Sequence, residues 1–489
     1  MKKIKTVISG VCAVALICGF AGCSYGDQSE EKSDPAVEFE TVDSVSYKEK
    51  WNTIASDFEQ VSMNPGSDIT KMNYAWYSKT AGEAKMKVAK SEAALASAQA
   101  VEGTCEEYKT MTVNGESVTF YANKVTVTGL SENTKYFYQN LCDGTWSKAK
   151  SFKTGSSGDF SFIYVGDPQI GSSGNNVPAG FKSNETTYLA ARYDSFNWNN
   201  VLAGAFNNHP EVDFILSAGD QIDATSNGNQ QEIEYAGFLS AEVLSSLPIA
   251  TTIGNHDSRF ANYKNHFNTP NAYTEEEGAS PAGNDYYYTY GNVLFIMLNT
   301  NNYNVASHEA LIKKAVEENA GKKWRIVTFH QDIYGSGKDH SASDGMILRT
   351  QLTTLLDKYD IDVVLQGHDH TYSRSHLLTS DGNEHPAFSA SNAANFQEEN
   401  LCYTITENTS SAKTVTDPKG ILYMEANSST GSKYYNLIPT QQDYIAARSQ
   451  TFTPTYSVIN IKGGTFTINT YDSETGKKID EEFKIVKTK

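Results

Sequence analysis

The 489-residue chain shows no internal repeat, no second long apolar run after its N-terminus and no lysine or arginine cluster beyond Lys5. Its 40 Lys and Arg stand against 58 Asp and Glu, a formal charge of −18. Binding a nucleic-acid backbone needs a basic face, so such a surface excludes nucleic acid as a structural partner. A small anionic substrate is compatible with it only where something cationic, such as metal ions, sits inside the site. Cysteine is scarce: of six, Cys12, Cys18 and Cys23 fall in the first 23 residues, leaving Cys105, Cys142 and Cys402. That count excludes a disulfide scaffold, and no spacing among them is that of a zinc site. Cys105 and Cys142 share one segment and stand either as a pair or as two free thiols. What remains is length enough for about two to four domains and a large core.

Lys2, Lys3 and Lys5 precede the apolar run 7–20, which at 14 residues is shorter than the ~20 that span a bilayer. It reads as a secretory signal peptide, 1–22. Its end, Phe20-Ala21-Gly22-Cys23-Ser24, resembles the bacterial lipoprotein cleavage box, with Cys23 as the lipidated residue. Ordinary cleavage nearby and a short membrane anchor are the alternatives. Residues 23–37 are polar and nearly free of apolar side chains, so they read as a tether. The expected place is the extracellular face of the bacterial cell membrane, held there by lipid.

From 38 to 155 apolar residues recur mostly with period two, as in Met72-Tyr74-Trp76, Met86-Val88, Val125-Val127 and Tyr136-Tyr138. That spacing predicts an all-β sandwich, although the Ala-rich stretch 89–100 favours helix on propensity. Gly155-Ser156-Ser157-Gly158 reads as a linker. Over 159–489 short apolar runs alternate with helical stretches, the pattern of a layered α/β domain. Strands are expected at 160–165, 212–217, 249–253, 293–298, 325–329 and 361–365, and helices at 186–206, 232–244, 308–319 and 345–359. The polar insertion 380–419 reads as surface loops at the rim of the site, and the tail returns to strands at 456–461, 465–471 and 481–485.

Five of the six apolar runs end in residues able to bind a metal: Gly166-Asp167-Pro168-Gln169, Gly219-Asp220-Gln221-Ile222-Asp223, Gly254-Asn255-His256-Asp257, His330, and Gly367-His368-Asp369-His370. Strand C-termini of an open α/β sheet face one crevice, so these residues converge. All ten histidines lie after residue 200. Carboxylates, an amide oxygen and imidazoles without a thiolate suit two hard or borderline cations bridged by a carboxylate.

Order and content resemble the calcineurin-like metallophosphoesterases, and among them the purple acid phosphatase branch, over about residues 40–489. In the first domain Thr126-x-x-Gly129-Leu130-x-x-x-Thr134-x-Tyr136-x-Tyr138 and Ser151-Phe152-Lys153-Thr154 carry the likeness. In the second it rests on His330-x9-His340 and Gly367-His368-Asp369-His370-Thr371-Tyr372-Ser373-Arg374-Ser375. The resemblance implies a fibronectin type III-like domain at 38–155 followed by a four-layer α/β/β/α catalytic domain at 159–489. It implies Asp220 bridging two metal ions (Fe, Mn or Zn), Asp167 and His370 on the first, and Asn255, His330 and His368 on the second. A hydroxide bridging the ions would attack phosphorus, while His256 and His340 are candidates to stabilise or protonate the leaving group.

Two departures bear on the first ion. Asp223 stands where the purple branch has the tyrosinate that gives its colour, so this chain should not be purple. Gln169 stands where the wider superfamily often has histidine, so the first ion is either short of one ligand or uses Gln169 or Asp223 instead. The implied activity is hydrolysis of phosphate monoesters on a small phosphorylated substrate. A phosphodiesterase or nucleotide pyrophosphatase with the same site is one alternative, to be decided by the loops 172–184 and 380–419. A surface binding protein with a degenerate metal site is the other, against which six intact ligand positions argue.

Overall fold

The alternating segment becomes two antiparallel sheets packed face to face, and the alternating residues are the ones that fill the space between them. Tyr74, Trp76, Met86, Val125, Val127, Tyr136 and Tyr138 form one buried cluster, with the Trp76 indole N–H donating to Leu141 O at 3.0 Å. One sheet has the order Ser62–Pro65, Met72–Ser78, Glu116–Val127, Thr104–Val113. The other is built on Lys85–Ala89 and Lys135–Cys142. The computed structural model describes residues 38–113, 115–179, 181–182, 188–338, 340–341, 343–385 and 401–489. The expected signal peptide 1–22, the lipidation residue Cys23 and the tether 23–37 lie outside them.

Two local expectations are corrected here. Strands begin only at Ser62; before them Ser44–Ile54 is an α-helix, capped by the Asp43 carboxylate on the backbone N–H groups of Val45 and Ser46. Its Tyr47 and Trp51 are buried against the helix Leu189–Asn208 of the following layers. The Ala-rich stretch yields a single 3₁₀ turn, Ala93–Ser97, with only Leu95 buried; an alanine run with one apolar anchor has little to hold a longer helix. Cys105 and Cys142 are free thiols, so the open question of their pairing resolves to two.

Beyond Gly158 two mixed sheets stack. The first has the order Ile249–Thr251, Phe214–Ser217, Phe160–Val165, Thr455–Lys462, Thr465–Asp472, Phe483–Val486, Thr414–Thr416. The second runs Tyr286–Tyr290, Val293–Met297, Trp324–Thr328, Val363–Gln366, Ile421–Glu425, Tyr372–Ser380, Tyr403–Glu407, with Ile445–Ser449 on Tyr372–Ser380. The strand period sorts side chains between layers: Phe160, Phe162 and Tyr164 join the core between the sheets, whereas Ile163 and Val165 face the helices Leu189–Asn208 and Gly228–Leu239. On the far side Leu294, Ile296 and Val327 meet Val305–Glu318 and Asp344–Lys358. The four layers are therefore α/β/β/α.

Burial on both faces explains why these parallel strands read as continuous apolar runs. The insertion at 380–419 is corrected in part: Tyr403–Glu407 and Thr414–Thr416 are strands, each on a sheet edge. Tyr403 pairs with Ser380, at the end of Tyr372–Ser380 remote from His370, so this part does not line the site; residues 386–400 lie outside the described ones. Among the described residues no helix is long and apolar enough to cross a membrane.

Polar contacts fix the sandwich to the layers. Asn64 Nδ2 donates to Ile249 O at 2.9 Å, Tyr138 OH to Ser245 O at 2.8 Å, and Lys109 Nζ pairs with the buried Glu232 at 3.1 Å.

Candidate metal centre

Each expected ligand sits just beyond the C-terminal end of a parallel strand, where the backbone leaves the sheet. Asp220, His368 and His370, with Gln169, hold φ of 48°, 81°, 45° and 37°. Such left-handed conformations cost energy outside glycine and persist where the surroundings over-determine them, as at functional sites. The glycines of the motifs are there for space. A Cβ on Gly254 would stand 2.0 Å from Asp220 Oδ1, and one on Gly367 would stand 2.5 Å from Asp167 Oδ1. The turns therefore pass against one another's carboxylates, which is how distant segments reach one point.

The six side chains do converge. His330 Nε2 lies 3.0 Å from Asn255 Oδ1, 3.2 Å from Asp220 Oδ2 and 3.0 Å from His368 Nδ1. Asp167 Oδ2 lies 3.1 Å from His370 Nε2 and 3.9 Å from His330 Nε2. The rings are aimed by their outer nitrogens: His330 Nδ1 meets Ala218 O at 2.9 Å, His370 Nδ1 meets Lys433 O at 2.8 Å, and His368 Nε2 meets Asp344 Oδ2 at 2.9 Å. These outer contacts fix the tautomer that turns the other nitrogen inward.

This arrangement fits a pair of cations. Asp167 Oδ2 is buried and accepts no hydrogen bond although an imidazole nitrogen is 3.1 Å away; the two point at common space rather than at each other. Asp220, His330 and His368 offer ligand atoms within 4.8 Å of one another. Burial alone would raise the Asp220 carboxyl, yet His330 and His256 beside it hold it well below the usual range. Against the same burial, Asp220 and Asp167 push His330 up to about 10. Burial, reinforced by His330 and His340, moves His368 the other way. An uncompensated cluster of this kind draws on imidazolium for positive charge, and a bound cation would supply that charge instead.

Gln169 and Asp223 occupy one corner with His256. Gln169 Nε2 lies 3.2 Å from Asp223 Oδ1 and 3.0 Å from His256 Nε2, while Gln169 Oε1 is buried without a partner. His256 Nδ1 lies against Asp223 O, so both of its ring nitrogens are engaged, and its backbone N–H donates to Asp220 Oδ1 at 2.8 Å. His340 differs. Its ring lies 3.8 Å from that of His368, its Nδ1 pairs with Asp344 Oδ1 at 3.2 Å, and Tyr435 OH stands 3.4 Å from Nε2.

Two parts of the site were absent from the sequence reading. Asp344, which pairs with both His340 and His368, had as its signal the His-x3-Asp spacing at the start of a helix. The other is the hydroxyl-rich turn after Ile421–Glu425. Ser429 Oγ donates to Gly166 O at 2.7 Å, Thr430 Oγ1 to Pro168 O at 2.6 Å and Ser428 Oγ to Asp167 O at 3.2 Å, so a sixth strand end cradles the Asp167 turn.

Two stacked sheets between helices, with carboxylates, an amide and imidazoles gathered at the strand ends, define a metallophosphoesterase domain. Residues 160–372 match the sequence model for calcineurin-like phosphoesterase, and residues 58–154 that for the purple acid phosphatase N-terminal domain. Residues 160–372 are thus a calcineurin-like phosphoesterase domain, and residues 58–154 before them a purple acid phosphatase N-terminal domain.

An uncharacterized protein of Mycobacterium tuberculosis is 23% identical over 295 residues, 52% of this chain and 51% of its own. Acid phosphatase type 7 of Homo sapiens is 27% identical over 180 residues, 33% of this chain and 40% of its own. The chain thus spans about half or less of the length of these curated relatives. A purple acid phosphatase from yellow lupin (Lupinus luteus) seeds shares the fold with a TM-score of 0.61 at 14% identity, over 88% of this chain and 74% of that one.

Proposed function

We propose that this chain hydrolyses phosphate esters, monoesters in first place, at a binuclear metal centre. Asp167 and His370 would hold one ion, Asn255, His330 and His368 the other, and Asp220 both. The observation that carries the reading is the convergence of these six side chains with Asp167 Oδ2 left without a hydrogen-bond partner. When bound, the ions would activate a water and neutralise charge on the phosphoryl oxygens.

The chain's own groups do the rest. Ala218 O, Lys433 O and Asp344 hold the three rings in one tautomer each, so no reorganisation is needed as charge develops. His340 is suited to give a proton to the departing oxygen. Burial disfavours its charged form, but Asp344 outweighs burial and raises it above the ordinary histidine range. His256, whose Nδ1 lies against Asp223 O and whose Nε2 meets Gln169 Nε2 at 3.0 Å, is held more closely than His340, whose Nε2 has the Tyr435 hydroxyl at 3.4 Å, and is suited to keep Asp223 and Gln169 in place instead.

We place the enzyme outside the cell, tethered through lipid on Cys23, with a small phosphorylated molecule as substrate. The test is hydrolysis of a chromogenic monoester against a diester, with and without a chelator. Chelator-sensitive turnover of the monoester in preference supports the reading. Preference for the diester moves it to a phosphodiesterase, and no turnover on either removes it.

A further inference from the structure

We propose that Asp332, Asp369 and Glu425 bind a third cation, a calcium ion, behind the metal centre. The three carboxylates are fully buried, each 0% exposed, and offer oxygens within 4.8 Å of one another. Donors on opposite sides of a calcium ion stand about 4.8 Å apart, twice a ~2.4 Å bond. Among the described residues none of the three forms an ion pair with lysine, arginine or histidine. The buried Arg349 turns its Nε to Ile333 O at 2.6 Å and a terminal nitrogen to Ser341 O at 3.4 Å instead. Asp332 Oδ1 is buried with no hydrogen-bond partner.

The surroundings prepare the oxygens without neutralising them. Thr371 Oγ1 donates to Glu425 Oε1 at 2.8 Å, Ser373 Oγ and Ser336 N to Glu425 Oε2 at 2.6 and 3.0 Å. The backbone N–H groups of His340 and Ser341 donate to Asp369 at 2.9 and 2.8 Å, and the Ser341 hydroxyl meets both Asp369 and Asp332. Glu425 Oε2 and Asp369 Oδ2 each meet two donors, whereas Glu425 Oε1, Asp369 Oδ1 and Asp332 Oδ2 meet one and Asp332 Oδ1 none, so each carboxylate keeps at least one oxygen with a lone pair to offer. Three buried carboxylates without a counter-charge are costly, and either protons or a cation must relieve them. A donor set made only of oxygen selects a hard cation, and a site sealed from solvent favours calcium over magnesium, which retains waters.

The ion would also have a structural consequence. Asp332 follows His330 by two residues, Asp369 lies between His368 and His370, and Glu425 ends the strand beside Val363–Gln366. One ion would clamp three of the strand ends that present the centre.

To test this, the full chain is stripped with a chelator, reloaded with manganese so that the metal centre is filled, and titrated with calcium. Bound metals are counted by elemental analysis. One calcium per chain, held in the presence of manganese and raising the melting temperature, is the expected result. Asp332→Asn and Glu425→Gln should then bind none while keeping the manganese content of wild type. No calcium on the wild type at millimolar concentration would overturn the proposal and leave the cluster held by shared protons; so would an undiminished calcium count in Asp332→Asn. If the variants fail to fold, the wild-type count decides alone. Manganese is counted separately, so failure of the metal centre to load is distinguishable from absence of the third ion.

Discussion

Around His330 and His368 every outer ring nitrogen meets a fixed acceptor, Ala218 O or Asp344, and the inward nitrogens face each other at 3.0 Å. Around Asp167 only His370 is held in this way, by Lys433 O. The nearby Gln169 is an amide whose oxygen has no partner and whose nitrogen is shared between Asp223 and His256. One half of the centre is thus specified by oriented imidazoles, and the other is richer in oxygen and less completely tied. Metal affinity and proton supply should reside in the first half, and metal identity should be decided in the second.

Removing the group common to both halves should have the largest effect. Asp220→Ala is expected to lose both ions and several orders of magnitude in turnover, checked by elemental analysis beside the rate. Retention of both ions would break the comparison at its centre. Next, His340→Ala should reduce turnover by ~10²–10⁴-fold, the scale of general acid–base help, with ion content unchanged. His256→Ala should lose less, because its Nε2 is held by Gln169 at 3.0 Å and its Nδ1 by Asp223 O, more closely than Tyr435 OH holds His340 Nε2 at 3.4 Å; kcat measured on both variants decides.

A matched pair sharpens the contrast further. Asp344→Asn should weaken the second ion by ~10–100-fold, the usual cost of an outer partner, and leave the first unchanged. Gln169→Ala should do the reverse, both read by competition with a chelating dye.

The smallest expected effect lies away from the centre. Burial pushes Asp213 up to about 6 from 3.8, so the folded chain binds a proton there more tightly than the unfolded chain. The linked stability is present at pH below about 4 and is lost as pH rises to about 6. Asp213→Asn should flatten that part of the melting-temperature profile.

The five ligand-bearing strand ends were legible because each combines an apolar run with an abrupt Gly-Asp, Gly-Asn-His, His or Gly-His-x-His. Asp344 has only the His-x3-Asp spacing from His340 to mark it, and nothing local marks the turn 427–433 as belonging to them. Asp344 reads as the first-turn acid of a helix, and Ser428, Ser429 and Thr430 read as an ordinary polar turn. Their roles exist only after the sheets bring Gly166–Pro168 alongside. Strands with polar sequences were illegible for a related reason. Tyr372–Ser380 is buried over seven of its nine positions because Arg374 meets Asp480 at 2.8 Å and Ser373 meets Glu425. Tyr286–Tyr290, four tyrosines and a threonine, is buried throughout, with Tyr286 OH donating to Thr251 O at 2.5 Å. A polar side chain whose partner is far away in sequence looks exposed until the fold is known.

The most direct test of the central claim is the content of transition-metal ions in the protein lacking residues 1–23, purified without affinity metals, measured beside hydrolysis of a chromogenic phosphate monoester. Two such ions per chain and turnover abolished by chelator are expected. Fewer than one tightly held ion, with no turnover after manganese, zinc or iron is added, would contradict the claim.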